Sequence, residues 1–178
     1  SQPEERGELA YKRVTKTFSF DDKKVYSVDF ATKDHIGTLV ATGNHPFFVK
    51  GEGWVAAESL YVGCVLELPE GWFCDVFNVS LIYHTEMPGV GWIEGGFGLS
   101  DADGIGRIID MRNGKVAIDY DHQNSVRNDA VVPSEGTAFS TRVYNLEVED
   151  FHTYYVGDLG VWVHNTNCGG KGVGLSGR

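Results

Sequence analysis

Apolar and polar positions alternate in short bursts along this chain, and most bursts end at a cluster of Gly, Pro, Asp or Asn. A period of two marks half-buried strands, and such clusters mark the turns between them. Leu9 to Phe20 alternates in part and predicts a strand, Asp21-Asp22-Lys23-Lys24 reads as a charged turn, and Val25 to Phe30 alternates cleanly with Tyr26, Val28 and Phe30 on one face. Ile36 to Thr42 predicts another strand that runs straight into Gly43-Asn44-His45-Pro46-Phe47-Phe48-Val49. Gly51-Glu52-Gly53 predicts a tight turn before Trp54-Val55, Ala56 to Gly63 a short helical turn, and Cys64 to Leu68 a strand.

From 69 to 139 the pattern becomes irregular. Val76 to His84 is strand-like, Met87 to Gly106 is a Gly-rich loop, and Asp121 to Ser140 is a polar loop. Ile108 to Tyr120 predicts a hairpin, because Asn113-Gly114 supplies the positive φ angles of a type I′ turn. The closing residues 166–178 are Gly-rich, lack apolar periodicity and read as linker. With no long 3.6-residue period and with β-branched and aromatic residues dominating the periodic stretches, the predicted class is all-β.

The stretch from Val143 to Thr166 is the most informative. Alternating apolar residues lead to Gly157-Asp158-Leu159-Gly160, and a second apolar run then ends in His164-Asn165. This predicts a hairpin that aims a reactive dipeptide. The side-chain amide nitrogen of an Asn can attack its own backbone carbonyl, closing a succinimide and breaking the bond to the next residue, here Thr166. An adjacent imidazole, with an ordinary pKa of about 6.5, is suited to donate to the carbonyl or to the departing amine. A strand end that holds the Asn in near-attack geometry can supply about 7–11 kcal/mol of the barrier. His152, on the strand expected to pair with the one ending at His164, is placed to approach the same bond.

A second constellation sits at the end of the Ile36–Thr42 run. Thr42 and His45 lie three residues apart across a turn, and Pro46 restricts His45 to an extended backbone. Such a pair can converge on one backbone amide, the Thr as hydrogen-bond partner and the His as donor to the amide nitrogen.

Composition narrows the setting. The chain has 178 residues, enough for one sizeable core, and its 42% apolar content is that of a folded protein. With 25 acidic against 15 basic residues the net charge is −10, which disfavours a nucleic-acid surface. No apolar run reaches the roughly 20 residues of a membrane helix, so a soluble module is expected. Cys64, Cys74 and Cys168 are odd in number and lack CxxC spacing, against both a disulfide framework and a structural zinc site. His45, His152 and His164 show no metal-ligand spacing, and Asp101-Ala102-Asp103-Gly104 lacks the remaining ligands of a calcium loop; no cofactor or metal is expected. Trp54, Trp162 and Tyr154-Tyr155 read as core and hairpin packing.

Two separated blocks, Ala41-Thr42-Gly43-Asn44-His45-Pro46-Phe47-Phe48-Val49 with Gly53-Trp54-Val55-Ala56-Ala57, and Val143 to Val148 with His152-Thr153-Tyr154 and Val163-His164-Asn165, resemble the Hint (hedgehog/intein) superfamily. Within it they are most similar to the pretoxin Hint modules of bacterial polymorphic toxins of the Rhs and haemagglutinin types. The resemblance implies a horseshoe-like all-β fold over 1–165, with 69–139 inserted in it and 166–178 as the stub of a downstream effector. It implies cleavage of the protein's own backbone without a cofactor. By position, Thr42 and His45 match the pair that activates the N-terminal scissile bond, and His152, His164 and Asn165 match the residues that break the C-terminal one. Thr166 stands where splicing members carry their second nucleophile.

The family's modules open with a Cys, sometimes a Ser, in a first strand that has no counterpart here, and Ser1 does not match that context. The expectation is therefore C-terminal scission after Asn165, releasing a toxin from a secreted or cell-surface-delivered bacterial protein, with splicing set aside. The expected partners are the chain itself, the downstream toxin and a complementary N-terminal Hint fragment, with no nucleic acid and no membrane. The alternative is a degenerate or split, non-catalytic β-scaffold that spaces a toxin from its delivery protein. A protease acting on other proteins has no nucleophile arrangement to support it.

Overall fold

The computed structural model describes residues 10–93, 107–112, 116–118, 133–149 and 153–164. These form two antiparallel sheets with no α-helix among the described residues. The first sheet curls into a half-barrel. It is built from β1 (Val14–Ala31), β2 (Ile36–Thr42), β3 (Pro46–Val49), β4 (Gly53–Ala56), β5 (Val65–Glu67) and β6 (Phe73–Leu81), joined later by β12 (Ser140–Val148), β13 (Thr153–Val156) and β14 (Val161–His164). The second contains β7 (Tyr83–Thr85), β8 (Val90–Ile93), β9 (Arg107–Asp110), β10 (Ala117–Ile118) and β11 (Pro133–Ala138).

Strand β1 organises the first sheet because it spans 18 residues and changes partners along its length. Its first part pairs with β12, and Val25–Ala31 pairs with β2 on one side and β6 on the other. The charged turn expected at Asp21-Asp22-Lys23-Lys24 is instead a bulge inside β1. Between the pairs Phe20–Val143 and Lys23–Thr141 the register shifts, and Asp22 takes a φ of 54°. An extra residue in one strand bends and twists it without ending it, and Asp tolerates the left-handed region better than most residues. Arg142 Nε donates to Asp21 Oδ1 at 2.6 Å across the same place.

Val28 and Phe30 lie in the main core, as the alternation predicts, together with Phe47, Val49, Leu66, Val76, Val161 and Val163. The opposite face of β1 is buried as well. Ser27 and Asp29 are both fully buried, because the second sheet covers them. Asp29 Oδ1 accepts from Thr38 Oγ1 at 2.6 Å and from Ser27 Oγ at 3.3 Å. Its Oδ2 accepts from Asn78 Nδ2 at 2.8 Å and from Arg107 Nη2 at 2.6 Å. Thr38 and Asn78 are the lateral neighbours of Asp29 on β2 and β6, so the carboxylate is bound from both sides of its own strand and from β9 above it.

The stretch expected to be irregular is more ordered than its sequence suggests. Phe73–Leu81 is an integral strand of the first sheet, so the excursion begins after Leu81 and not at Pro69. Ile82 connects the sheets: its amide donates to Val25 O at 3.1 Å, and its carbonyl accepts from Phe139 N at 2.8 Å. Ile82, Ile93, Ile109 and Phe139 make a second core with Val25. Val90–Ile93, expected in a Gly-rich loop, is a strand, and Gly91 fits there because a Cβ would collide with the Ile82 side chain. Pro133–Ala138, expected in a polar loop, is also a strand, paired with β7. The predicted hairpin is present as β9 and β10, with Ala117 opposite Asp110 and Ile118 opposite Ile109; its Asn113-Gly114 turn lies outside the described residues. The short helical turn is the 3-10 turn Ala57–Ser59. Cys64 and Cys74 are buried free thiols, and burial pushes Cys74 up to about 12.

Candidate functional site

The Thr42–His45 turn leaves β2 and feeds β3. The amide of His45 donates to Thr42 O at 2.9 Å, closing a β-turn. The turn is then tied to the 3-10 element that follows β4: Ala57 N donates to His45 O and Glu58 N to Gly43 O, both at 2.9 Å. Gly43 is buried, and a Cβ there would stand 2.6 Å from Glu58 Oε2 and 2.9 Å from Tyr26 Cε2. A side chain at this position would have to displace the Glu58 carboxylate and the edge of the Tyr26 ring.

His45 is held partly buried, with its ring 5.7 Å from that of Phe47 at 74°. Burial, and secondarily the positive charge that His164 would carry nearby, lower the His45 pKa from 6.5 to about 4. At neutral pH its imidazole is therefore uncharged, with one nitrogen donating and the other accepting.

The hairpin predicted around Gly157-Asp158-Leu159-Gly160 is β13 and β14, with Thr153 opposite His164 and Val156 opposite Val161. It is shorter than the alternation suggests. The preceding β12 pairs with β1 at the far side of the sheet, and its Asn145 is buried, accepting from Tyr154 Oη at 3.1 Å and from Leu146 N at 2.9 Å. Gly157 and Gly160 take φ of 75° and 72° in the turn. Strand β14 inserts next to β3, with Val163 opposite Phe47. Val161 and Val163 face the core, and Trp162 joins Phe48, Trp54 and Tyr155 in an aromatic cluster. The His164 ring lies 5.2 Å from that of Trp54 at 76°.

Of the residues singled out by sequence, Thr42, His45 and His164 are thus brought to neighbouring strand ends of one sheet, although more than a hundred residues separate His45 from His164 in the chain. His152, Asn165 and Thr166 lie outside the described residues. No group of three metal-binding side chains occurs among the described residues, a set that omits His152. Three neighbours had not been anticipated: Glu58, Tyr26 and the Trp54 contact to His164. The Trp54 contact had a signal in the sequence, because Gly51-Glu52-Gly53 sets the register that places Trp54 opposite Phe48. Nothing in the pattern pointed to Glu58.

Among solved structures, the chain matches a bacterial intein-like domain from Clostridium thermocellum with a TM-score of 0.53 and 25% identity, covering 91% of this chain and 76% of that domain. The chain has an intein-like fold. No protein-family model and no curated protein matches it. In this intein-like frame the curled sheet is the all-β horseshoe expected from the Thr42–His45 and His164 blocks, and it supports a self-processing fold in general terms. No helix among the described residues is long and apolar enough to cross a membrane.

Proposed function

We propose that the chain is a Hint-type self-cleaving module that breaks its own backbone between Asn165 and Thr166. The observation that carries this reading is the convergence of two distant motifs: β14 delivers His164 beside β3, whose leading turn holds Thr42 and His45. In the step, the Asn165 side-chain nitrogen attacks the Asn165 carbonyl carbon, the bond to Thr166 nitrogen breaks, and a proton passes to that nitrogen. The products are an upstream chain ending in succinimide and a downstream chain beginning with a free amine at Thr166. His164 hydrogen-bonds the carbonyl or protonates the departing amine, as an imidazole can near neutrality. The pairing of Thr153 with His164 supports a part for His152, since in the sequence His152 comes directly before Thr153 and Asn165 directly after His164.

Neutral His45 and Thr42 form the matching half of the site, directed at the N-terminal junction. The segment after Asn165 is, in this reading, the linker or stub of a downstream toxin in a secreted or surface-delivered bacterial protein, and release of that toxin is the biological product. Intact mass after incubation tests the chemistry: a fragment beginning at Thr166 is expected, and Asn165→Ala abolishes it. Continued cleavage of the Ala variant would overturn the mechanism. A chain that stays whole but is cleaved when an N-terminal Hint fragment is added acts as a split module, and one that stays whole under both conditions acts as a scaffold.

A further inference from the structure

An imidazole at the end of a strand is free to swing about its terminal torsion, whose energy profile is broad and roughly two-fold. Either ring nitrogen can then face a given bond. His164 is the last described residue of β14, yet its ring has a neighbour that fixes a plane. Trp54 meets it nearly at right angles, at 5.2 Å and 76°. Trp54 is itself held on its other sides, by Phe48 at 5.2 Å and 78° and by Trp162 at 5.2 Å and 64°. Phe48 and Trp162 in turn pack on each other at 4.6 Å. Trp54 is 40% exposed, so it contributes less to the core than its size allows.

We propose that Trp54 is a positioning residue for C-terminal cleavage: packed against Phe48 and Trp162, it holds the plane of the His164 imidazole for its part in scission between Asn165 and Thr166. Edge-to-face geometry is the favoured arrangement of two rings of this kind, because the electron-rich face of one meets the positive edge of the other. Two ring contacts restrain the indole, and this restraint passes to His164. The proposal rests on the reading that His164 assists scission at Asn165.

Two measurements test it on the full chain. In the uncleavable Asn165→Ala background, the His164 ring protons should carry a ring-current shift that Trp54→Leu removes and Trp54→Phe partly keeps. In the cleavable chain, Trp54→Leu should slow the appearance of the Thr166 fragment by about tenfold, and Trp54→Phe should restore it to within about twofold of the parent, since misplacement of a catalytic group by an ångström is enough for such losses. Should Trp54→Leu not fold, Trp54→Met replaces it in both measurements. A merely structural role would lower the unfolding midpoint and slow cleavage only in proportion to the folded fraction lost, and that outcome overturns the proposal. So does equal slowing by Phe and Leu, or a parent-like rate in Trp54→Leu while the parent still cleaves; failure of the parent itself to cleave, with or without an added N-terminal fragment, overturns the cleavage reading and this proposal with it.

Discussion

The curled nine-stranded sheet and the five-stranded sheet use similar short antiparallel strands, and they differ in what their cores leave free. The first buries Val, Leu and Phe side chains from strands far apart in sequence, and this packing sets β14 against β3. Two chain ends of the sheet are thereby forced together, and Thr42, His45 and His164 sit there. The second has a small core of Ile82, Ile93, Ile109 and Phe139, completed by Val25 from β1, and holds none of the candidate residues among its described positions. Its link to the first sheet is polar as well as apolar. Arg107 on β9 reaches Asp29 on β1, with side-chain exposures of 5% and 0%. Chemistry and support are thus divided between the sheets, and the sheet without chemistry clamps the strand from which the other is built.

The largest effect should come from cutting that clamp. Arg107→Met leaves the Asp29 carboxylate buried without its cation, and removing one partner of a buried pair costs about 3–5 kcal/mol. Denaturant unfolding should show the whole loss in a single transition. Two separated transitions would mean that the sheets unfold independently and that the second is not a brace for the first. Cleavage at Asn165, followed under conditions where the variant remains folded, should persist, because no candidate residue of the second sheet touches the site.

This division was only partly legible in the sequence. The strands of the first sheet announce themselves, since Val25–Phe30, Ile36–Thr42 and Val161–His164 alternate or run apolar. The Thr42–His45 and His164 motifs were legible for the same reason, each lying at the end of such a run. The bulge at Asp22 was hidden because four charged residues in a row resemble a turn, and only the pairing with β12 keeps them in a strand. Asp29 was hidden because an acidic residue in an alternating strand reads as solvent-facing. Its burial depends on Arg107, which lies 78 residues away and in a stretch of weak periodicity. Strand β8 was missed because Gly91 breaks up its apolar pattern, although Gly91 is required by the close approach of Ile82, and β11 was missed because Pro133–Ala138 carries no apolar alternation.

The next effect separates the sheets by pH. Burial holds His45 uncharged in the folded chain, with its pKa lowered from 6.5 to about 4, whereas the unfolded chain binds a proton below about 6.5. The unfolded state therefore takes up more protons between these values, and stability falls as pH drops from about 6.5 to about 4, levelling below. The contribution is on the order of 2 kcal/mol over that window, from the size of the shift discounted for partial exposure. His45→Gln should flatten this part of the stability–pH profile. An unchanged slope would place the acid sensitivity elsewhere and remove the basis for a neutral His45 at the site.

The smallest effect sharpens the contrast between the buried clamp and the surface of the same strand. Asp110 ends β9, and Arg112 donates to it three times: from its backbone amide and its Nε to Oδ1, both at 3.0 Å, and from its Nη2 to Oδ2 at 2.6 Å. This pair has side-chain exposures of 50% and 31%, so water competes for both partners. The hydrogen bonds from Arg112 still lower the Asp110 carboxyl to about 2. Exposed pairs contribute less to stability than buried ones, because solvated charges gain little by meeting and ordering the side chains costs entropy, although bidentate geometry such as this keeps part of the gain. Arg112→Ala should therefore lower the unfolding midpoint at neutral pH only slightly, far less than Arg107→Met, while the Asp110 carboxyl, followed by NMR, moves part of the way back toward 3.8 because the backbone amide bond remains. Arg107 on β9 and Arg112 just past its end contact carboxylates at the same 2.6 Å, so a midpoint that fell as far for Arg112→Ala as for Arg107→Met would show that contact geometry, and not burial between the sheets, sets the worth of the clamp.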